Sequence, residues 1–179
     1  QALRKEFPKV SIFEVITPAV REALRVSSGG RIGVIGTRTT VQSGAYQKWC
    51  RSIHTRECPL FVPLVEAGYL VHPTTYEVAE QYLAPLQRVG VDTLILGCTH
   101  YPWLKPVIAD IMGKRVQLVD SAETVAREIV EMQNAEFRVK NVLERIPKHE
   151  FYVSKKTPKF QELAEKWLDM KIELKLAKV

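Results

Sequence analysis

The chain alternates short apolar runs with longer stretches in which apolar residues recur at helical spacing. Near-continuous apolar runs, such as residues 32–35 and 93–96, are typical of strands that are buried on both faces. The clearest helical stretch is residues 74–89, which Gly90 closes. The pattern also predicts strands at 11–16, 31–36, 57–62, 92–97, 115–119, 150–153 and 172–176, and helices at 18–26, 39–50, 102–112, 121–133 and 158–168. Strands separated by helices indicate an α/β fold with mainly parallel sheets flanked by helices.

Hydroxyl residues stand where several of these helices begin. Thr17 precedes the helix at 18–26, Thr39 or Thr40 opens the next helix, and Ser121 opens the helix at 121–133. Ser and Thr side chains accept hydrogen bonds from the first free N–H groups of a helix, so we predict that these residues are N-caps. Residues 134–148 are charged and weakly periodic, and are predicted to be a loop or an irregular helix.

Composition excludes several classes of protein. The 179 residues are 46% hydrophobic and 26% charged, which is ordinary for a globular protein of one domain or two small ones. No apolar run is long enough to span a bilayer, so no membrane partner is predicted. Three cysteines do not make a disulfide framework and fit a reducing compartment, so we predict a cytoplasmic location.

The net charge of +6 raises the question of a nucleic-acid partner. The basic residues are spread along the chain, and the densest cluster, Lys155, Lys156 and Lys159, is not interleaved with aromatic residues in a recognisable binding motif. A solvated basic face is the simpler interpretation, and a nucleic-acid partner is disfavoured.

One apolar run leads into a candidate chemical site. Residues 93–96 are followed by Gly97-Cys98-Thr99-His100, and Pro102 can then open a helix. Ligands of open α/β sheets bind beyond the carboxyl ends of the strands, and the positive end of a helix there favours thiolate over thiol. Cys98 is therefore a candidate acid/base or nucleophilic cysteine beside His100. A buried structural cysteine beside a loop histidine is the alternative that this pattern leaves open.

A second glycine turn lies in residues 32–41, where an apolar strand leads to Gly36-Thr37 and then to Thr39-Thr40. Backbone N–H groups and threonine hydroxyls at a helix start can bind a carboxylate or a phosphate. Simple capping by Thr39 or Thr40 is an equally good interpretation. Gly33 and Gly36 lack the spacing of a dinucleotide-binding fingerprint.

Two other candidates are weaker. Cys50, His54 and Cys58 are spaced by four residues, but Pro59 follows directly and no fourth ligand is evident, so no metal site is predicted. Glu66 lies in the apolar segment 61–68 and is either a helix-surface residue or the partner of a buried imidazole. On local grounds the surface interpretation is favoured.

These segments together resemble one family. Residues 32–41, 63–66, 94–104 and 119–128 follow one another in the order and spacing of bacterial glutamate racemases, and the tail is similar at 150–153 and 160–168. The block Gly97-Cys98-Thr99-His100-Tyr101-Pro102, together with the turn Gly36-Thr37, is specific to this family, the aspartate/glutamate racemase superfamily, or to its close relatives.

The resemblance implies a fold and a reaction. Members have two similar α/β domains with the active site between them, and they interconvert L- and D-glutamate without a cofactor, supplying D-glutamate for peptidoglycan. Two cysteines face opposite sides of the substrate Cα. By this resemblance Cys98 is the second of them, His100 assists it, and Glu66 orients the histidine. Thr37, Thr40 and Thr99 are the implied substrate contacts, and the dimers common in the family imply a homodimer.

The chain departs from the family in one respect. The family's opening section, with the first catalytic cysteine in a Cys-Asn-Thr motif, is absent, and neither Cys50 nor Cys58 is followed by Asn-Thr. We therefore expect an N-terminally truncated chain that does not racemise glutamate alone, whereas its parent protein does. The expected organisation is a remnant of an incomplete first domain at 1–16, a second α/β domain at 17–120, and a return segment completing the first domain at 121–179.

Other functions stay open at this point. An aspartate racemase or another cysteine-pair isomerase would share these motifs, and substrate preference would separate it from a glutamate racemase. A non-catalytic glutamate-binding remnant is the alternative outside enzyme chemistry.

Overall fold

Four parallel strands form the main sheet of this protein. The computed structural model describes residues 2–49, 52–137 and 149–177. The chain divides into two compact units, Gln1–Glu136 and Phe137–Val179. Within the described residues, no helix is both long and apolar enough to cross a membrane.

The first unit contains most of the regular structure. Its elements, in chain order, are α1 (Ala2–Glu6), α2 (Ile16–Val26), β1 (Ile32–Gly36), α3 (Arg38–Gln42), β2 (His54–Glu57), α4 (Phe61–Glu66), α5 (Pro73–Arg88), β3 (Thr93–Leu96), a 3₁₀ turn (Tyr101–Leu104), α6 (Lys105–Met112), β4 (Gln117–Asp120) and α7 (Ser121–Phe137). The second unit contains β5 (Phe151–Val153), α8 (Pro158–Leu168) and β6 (Leu174–Leu176), and its two strands pair in parallel.

The strand order of the main sheet is β2-β1-β3-β4, with every neighbouring pair parallel. Ile35 of β1 pairs with Leu96 of β3, and Leu96 pairs with Asp120 of β4. Because parallel strands end at the same edge, the residues that follow β1 and β3 lie side by side, about 4.8 Å apart between strands. The sheet therefore brings the Gly36-Thr37 and Gly97-Cys98 turns together.

Helices cover the sheet. On the α2 side, one apolar cluster joins the helix to the strands and to Tyr46. Its buried members are Ala19, Val20, Ala23, Ile32, Val34, Tyr46, Ile53, Ile95 and Val119. Other large side chains that are fully buried include Phe61, Leu83, Leu94 and Tyr101. The predicted α/β fold with a parallel sheet flanked by helices is confirmed, whereas the division into domains at residues 16/17 and 120/121 stays a prediction.

The prediction of a strand at 11–16 is wrong. Residues 11–14 have no regular structure, and α2 begins at Ile16, two residues before the predicted start. The Glu14 carboxylate accepts the N–H groups of Ile16 (2.7 Å) and Thr17 (3.0 Å), so Glu14 and not Thr17 satisfies the free donors of this helix. An apolar run becomes a strand only where a neighbouring strand can pair with it, and no partner pairs with these residues in the described part of the chain.

The two helix starts nearest the site also differ from the prediction. Thr37, not Thr39 or Thr40, caps α3, which ends at Gln42 instead of near residue 50, with Gly44 at φ +63° soon after. Asp120, not Ser121, caps α7 by accepting the N–H groups of Ala122 and Glu123. Thr37 lies two residues before Thr39 and has the extended backbone that an N-cap needs. Asp120 lies one residue before Ser121, and its carboxylate reaches the first free N–H groups of α7.

Several other predicted boundaries shift. The strand predicted at 57–62 is instead β2 at His54–Glu57, and α4 already occupies Phe61–Glu66. The helix predicted at 102–112 is a 3₁₀ turn followed by α6. The strand predicted at 115–119 ends at Asp120, and α7 extends to Phe137. Most of the segment 134–148 lies outside the described residues, as does Cys50.

Asp92 stabilises the opposite, amino-terminal edge of the sheet through hydrogen bonds. Its carboxylate accepts hydrogen bonds from the Ser27 hydroxyl (2.5 Å), the Gly29 N–H (2.8 Å) and the Thr93 hydroxyl (2.9 Å). Burial raises the pKa of Asp92, but these hydrogen bonds outweigh it and hold the pKa below the ordinary value. The ionised form is therefore bound more strongly in the folded protein than in the unfolded chain.

We expect Asp92→Asn to destabilise the protein by about 1–2 kcal/mol at neutral pH, because an amide cannot satisfy these donors as a carboxylate does. A carboxylate with a lowered folded pKa contributes stability above its unfolded pKa and loses it as pH falls through the folded pKa. The deficit of the variant should therefore shrink once pH falls below the ordinary value of 3.8. Denaturant unfolding between neutral and acidic pH measures this. Asp110→Asn on the exposed side of α6 is the control, and an equal deficit in both variants would contradict the prediction.

Candidate active site

Gly97 sets the backbone path that presents Cys98 at the end of β3. Its N–H donates to the Ile35 carbonyl of β1 at 2.8 Å. A Cβ at this position would lie 2.9 Å from the Ile35 carbonyl oxygen and 3.2 Å from the Tyr46 hydroxyl oxygen. Only glycine fits so close to a neighbouring backbone, so the close packing of β1 and β3 fixes the turn that carries the thiol.

The Cys98 thiol is half-buried, and its pKa reflects two opposed effects. Burial raises the pKa, while the N–H groups of His100 and Tyr101 point at the sulfur and lower it. The balance is a raised pKa. The helix start does supply N–H groups that favour the thiolate, as the sequence predicts, but burial of the sulfur outweighs them.

His100 lies between a thiol and a carboxylate. Its Nδ1 is 4.0 Å from the Cys98 sulfur, and its Nε2 is 3.5 Å from Oε1 of Glu66 at the end of α4. The Glu66 side chain is 55% exposed, so it is a helix-surface residue that also faces an imidazole, and both sequence interpretations describe it in part. An imidazole held between a thiol and a carboxylate can take a proton from one and be stabilised by the other.

Threonines line the neighbouring turn. The Thr37 and Thr40 hydroxyl oxygens are 3.0 Å apart, and Thr37 accepts the N–H of Thr40 at 3.4 Å. Capping thus occurs here through Thr37, and a ligand role for the two hydroxyls stays a prediction. Thr99 is exposed beside Cys98 on the adjacent turn. The sheet therefore brings together the ends of β1 and β3, and five of the predicted site residues follow these two strands.

Cys58 is unlike Cys98. It is fully buried, its sulfur donates to the Arg56 carbonyl at 3.7 Å, and burial strongly raises the pKa of its thiol. In the described residues no group of three or more His, Cys, Asp or Glu side chains is arranged to hold a metal ion.

Two further residues at the site are not among the site residues that the sequence predicts. Tyr46 and Ser121 both reach the end of β3, although Tyr46 comes from an irregular segment and Ser121 from the start of α7. Their positions depend on contacts between segments far apart in the chain, which local spacing does not reveal.

The comparisons with known proteins agree on one family. The family model described as Asp/Glu/Hydantoin racemase matches residues 1–129. The chain is 40% identical to a glutamate racemase of Bacillus cereus, over 97% of this chain and 66% of that protein. This chain therefore spans just under two thirds of the length of that relative.

Solved structures of glutamate racemases are also similar to this chain. A glutamate racemase isoform from Bacillus anthracis matches with a TM-score of 0.86 and 32% identity, over 99% of this chain and 68% of the other. A glutamate racemase from Francisella tularensis, solved in complex with D-glutamate, matches with a TM-score of 0.83 and 28% identity, over 99% of this chain and 67% of the other.

Proposed function

Since this chain belongs to the Asp/Glu/hydantoin racemase family, we propose that it forms one side of the active site of a glutamate racemase. The observation that carries the proposal is the line of Cys98, His100 and Glu66 at the carboxyl edge of the sheet. The identity to a curated glutamate racemase and the D-glutamate bound to a similar structure support glutamate as the substrate.

The reaction is proton exchange at the substrate Cα without a cofactor. The Cys98 thiolate removes the Cα proton of L-glutamate, and the electron pair of the broken C–H bond stays on the substrate as a carbanion. A second acid on the opposite face then returns a proton, which inverts the centre. One group acting alone could only return the proton to the face it left, so racemisation needs two.

The raised pKa of Cys98 favours the direction in which this residue protonates the substrate. The neutral thiol is ready to donate a proton to a carbanion on its own face. The opposite direction needs the thiolate, which forms when the proton passes towards Nδ1 of His100, 4.0 Å away. Glu66 contacts Nε2 at 3.5 Å and holds the imidazole in this orientation. His100 is thereby a proton acceptor for Cys98, and Glu66 is the residue that orients it.

The carboxylates of glutamate need donors, and the threonines supply them. Thr37 caps α3 directly after β1, Thr40 lies in the first turn of α3, and Thr99 lies on the turn after β3. Hydroxyl and backbone N–H groups on adjacent turns suit a carboxylate held across the end of the two strands.

The second acid is not evident in the described residues. Their thiols are Cys58 and Cys98, and Cys58 is buried within the core. Neither Cys50 nor Cys58 is followed by the Asn-Thr of the family's first catalytic cysteine, and we propose that these 179 residues do not racemise glutamate alone. We also propose a cytoplasmic enzyme that supplies D-glutamate for peptidoglycan, and thus for cell-wall synthesis and cell shape, and that acts as a homodimer.

Deuterium wash-in at the glutamate Cα, followed by proton NMR in heavy water, tests the function. It is run with each enantiomer of glutamate and of aspartate, on this chain and on the chain extended through any coding sequence upstream of residue 1. We expect exchange and inversion of glutamate by the extended form only. Faster exchange of aspartate would favour an aspartate racemase, and glutamate binding without exchange would favour a binding remnant.

A further inference from the structure

Tyr46 has a buried ring and a hydroxyl that reaches the candidate site. It belongs to the turns after α3 and is only 2% exposed. Its ring belongs to the apolar cluster between α2 and the sheet, which also contains Val34 and Ile95. A phenol buried among apolar side chains needs a hydrogen-bond partner, so the direction of its hydroxyl is fixed by the fold.

That partner is Ser121, the first residue of α7. The Tyr46 hydroxyl interacts with the Ser121 side chain. The Ser121 hydroxyl donates its single proton to the Leu96 carbonyl at 2.9 Å, so its oxygen can only accept towards Tyr46. These polar contacts run from Tyr46 through Ser121 to the backbone of β3, two residues before Cys98.

The Tyr46 hydroxyl also lies against the turn itself. A Cβ at Gly97 would be 3.2 Å from the Tyr46 oxygen and 2.9 Å from the Ile35 carbonyl oxygen. Gly97 is therefore held between the backbone of β1 and the phenol. Both contacts act on the residue immediately before Cys98.

We propose that Tyr46 is a positioning residue, which fixes the Gly97–Cys98 turn through Ser121 and so keeps the thiol aligned with the backbone N–H groups of His100 and Tyr101. The inference rests on the proposed role of Cys98 and adds a residue that acts through it. The contacts involved join three segments that are distant in sequence: the turns after α3, the end of β3 and the start of α7.

Charge around the thiol stays constant when the tyrosine hydroxyl is removed. Burial raises the pKa of Tyr46, and the neighbouring Glu14 and Cys98 raise it further, so the phenol stays protonated. Burial also raises the pKa of Tyr101. The other titratable groups at the thiol are His100 and, through it, Glu66. A changed thiol reactivity in a Tyr46 variant therefore reports geometry and not a lost charge.

The test is the rate of alkylation of Cys98 by iodoacetamide as a function of pH, read on the Cys98 peptide by mass spectrometry. The variants are Tyr46→Phe and Ser121→Ala in this chain, singly and together. Misaligned N–H groups stabilise the thiolate less, so each variant should raise the apparent pKa of Cys98 by about half a unit and slow alkylation about threefold near pH 8. The double variant should show no more than the larger single effect, because both changes break one chain of polar contacts.

Ser27→Ala is the matched control, since it removes a serine hydroxyl bond at the opposite edge of the same sheet. Thermal unfolding of each variant separates loss of the fold from loss of alignment. An unchanged alkylation profile in folded Tyr46→Phe would overturn the proposal, and so would an equal shift in Ser27→Ala. The readout is the thiol and not racemisation, so failure of the proposed function and failure of this inference are distinguishable.

Discussion

Cys98→Ala should abolish deuterium wash-in from L-glutamate in whichever form of the protein exchanges, with a loss of about 10²–10⁴-fold or more. The residue supplies the base on the face of Cα from which the L proton leaves, and alanine has no group that ionises. Inversion should stop from both enantiomers, because each turnover needs both faces. Exchange without inversion, starting from D-glutamate, should survive, since the acid on the opposite face is intact.

The matched control for this change is Cys58→Ala. It removes the same thiol group from a fully buried position whose sulfur donates only to the Arg56 carbonyl. We expect its exchange rate to stay within about twofold to threefold of the unmodified protein, with some loss of stability from the small cavity. Wash-in from L-glutamate that persists in Cys98→Ala would contradict the assigned role of this thiol and favour another base.

Gly97→Ala should lower the free energy of unfolding by about 2–4 kcal/mol. The same substitution should also change the rate at which Cys98 is alkylated. The added methyl group would lie 2.9 Å from the Ile35 carbonyl oxygen, which is backbone in a central strand. Relief requires β1 and β3 to move apart at their carboxyl ends, and the hydrogen bond from Gly97 to Ile35 is lost in the process. Equilibrium unfolding in urea measures the free energy, and iodoacetamide alkylation measures the thiol.

Gly30→Ala separates this effect from the general cost of replacing glycine. Gly30 has φ +70°, and a Cβ added there would meet no atom within 4 Å, so alanine there meets only backbone strain of about 1–2 kcal/mol. It lies at the other edge of the sheet, so Cys98 alkylation should be unchanged. If Gly97→Ala cost no more than Gly30→Ala and left the thiol unchanged, the close approach of β1 and β3 would not be what fixes this turn.

The sequence predicts the parts of this protein that depend on local pattern. Apolar runs at 32–35 and 93–96 become central strands, and the helical repeat at 74–89 becomes α5, because burial and periodicity suffice there. The prediction of a strand at 11–16 is wrong because a strand needs a pairing partner and not only apolar residues. The predicted cap positions are wrong because the path of the backbone decides which side chain reaches the free N–H groups of a helix.

Some residues of the candidate site can likewise be predicted from local sequence, and others cannot. Cys98 and His100 are visible as neighbours in the sequence, and the turn at Thr37 is visible as a motif. The contact of Glu66 with His100 spans 34 positions of numbering and follows only from the packing of α4 against the 3₁₀ turn. The sequence pattern does not mark Tyr46 and marks Ser121 only as a helix cap, because their place at the site depends on contacts between distant segments.

The order of the strands also governs when the thiol acquires its native character during folding. Pairing of β1 with β3 joins residues about 60 positions apart, and such non-local contacts form late because loop closure must come first. The Ser121 bond adds residues that a ribosome delivers still later. Until then Cys98 is an ordinary solvated thiol with the reactivity of an unfolded chain. The rate at which Cys98 reacts with an alkylating reagent therefore reports how far the central sheet has assembled. This rate should fall once β4 and α7 are in place and the thiol is buried.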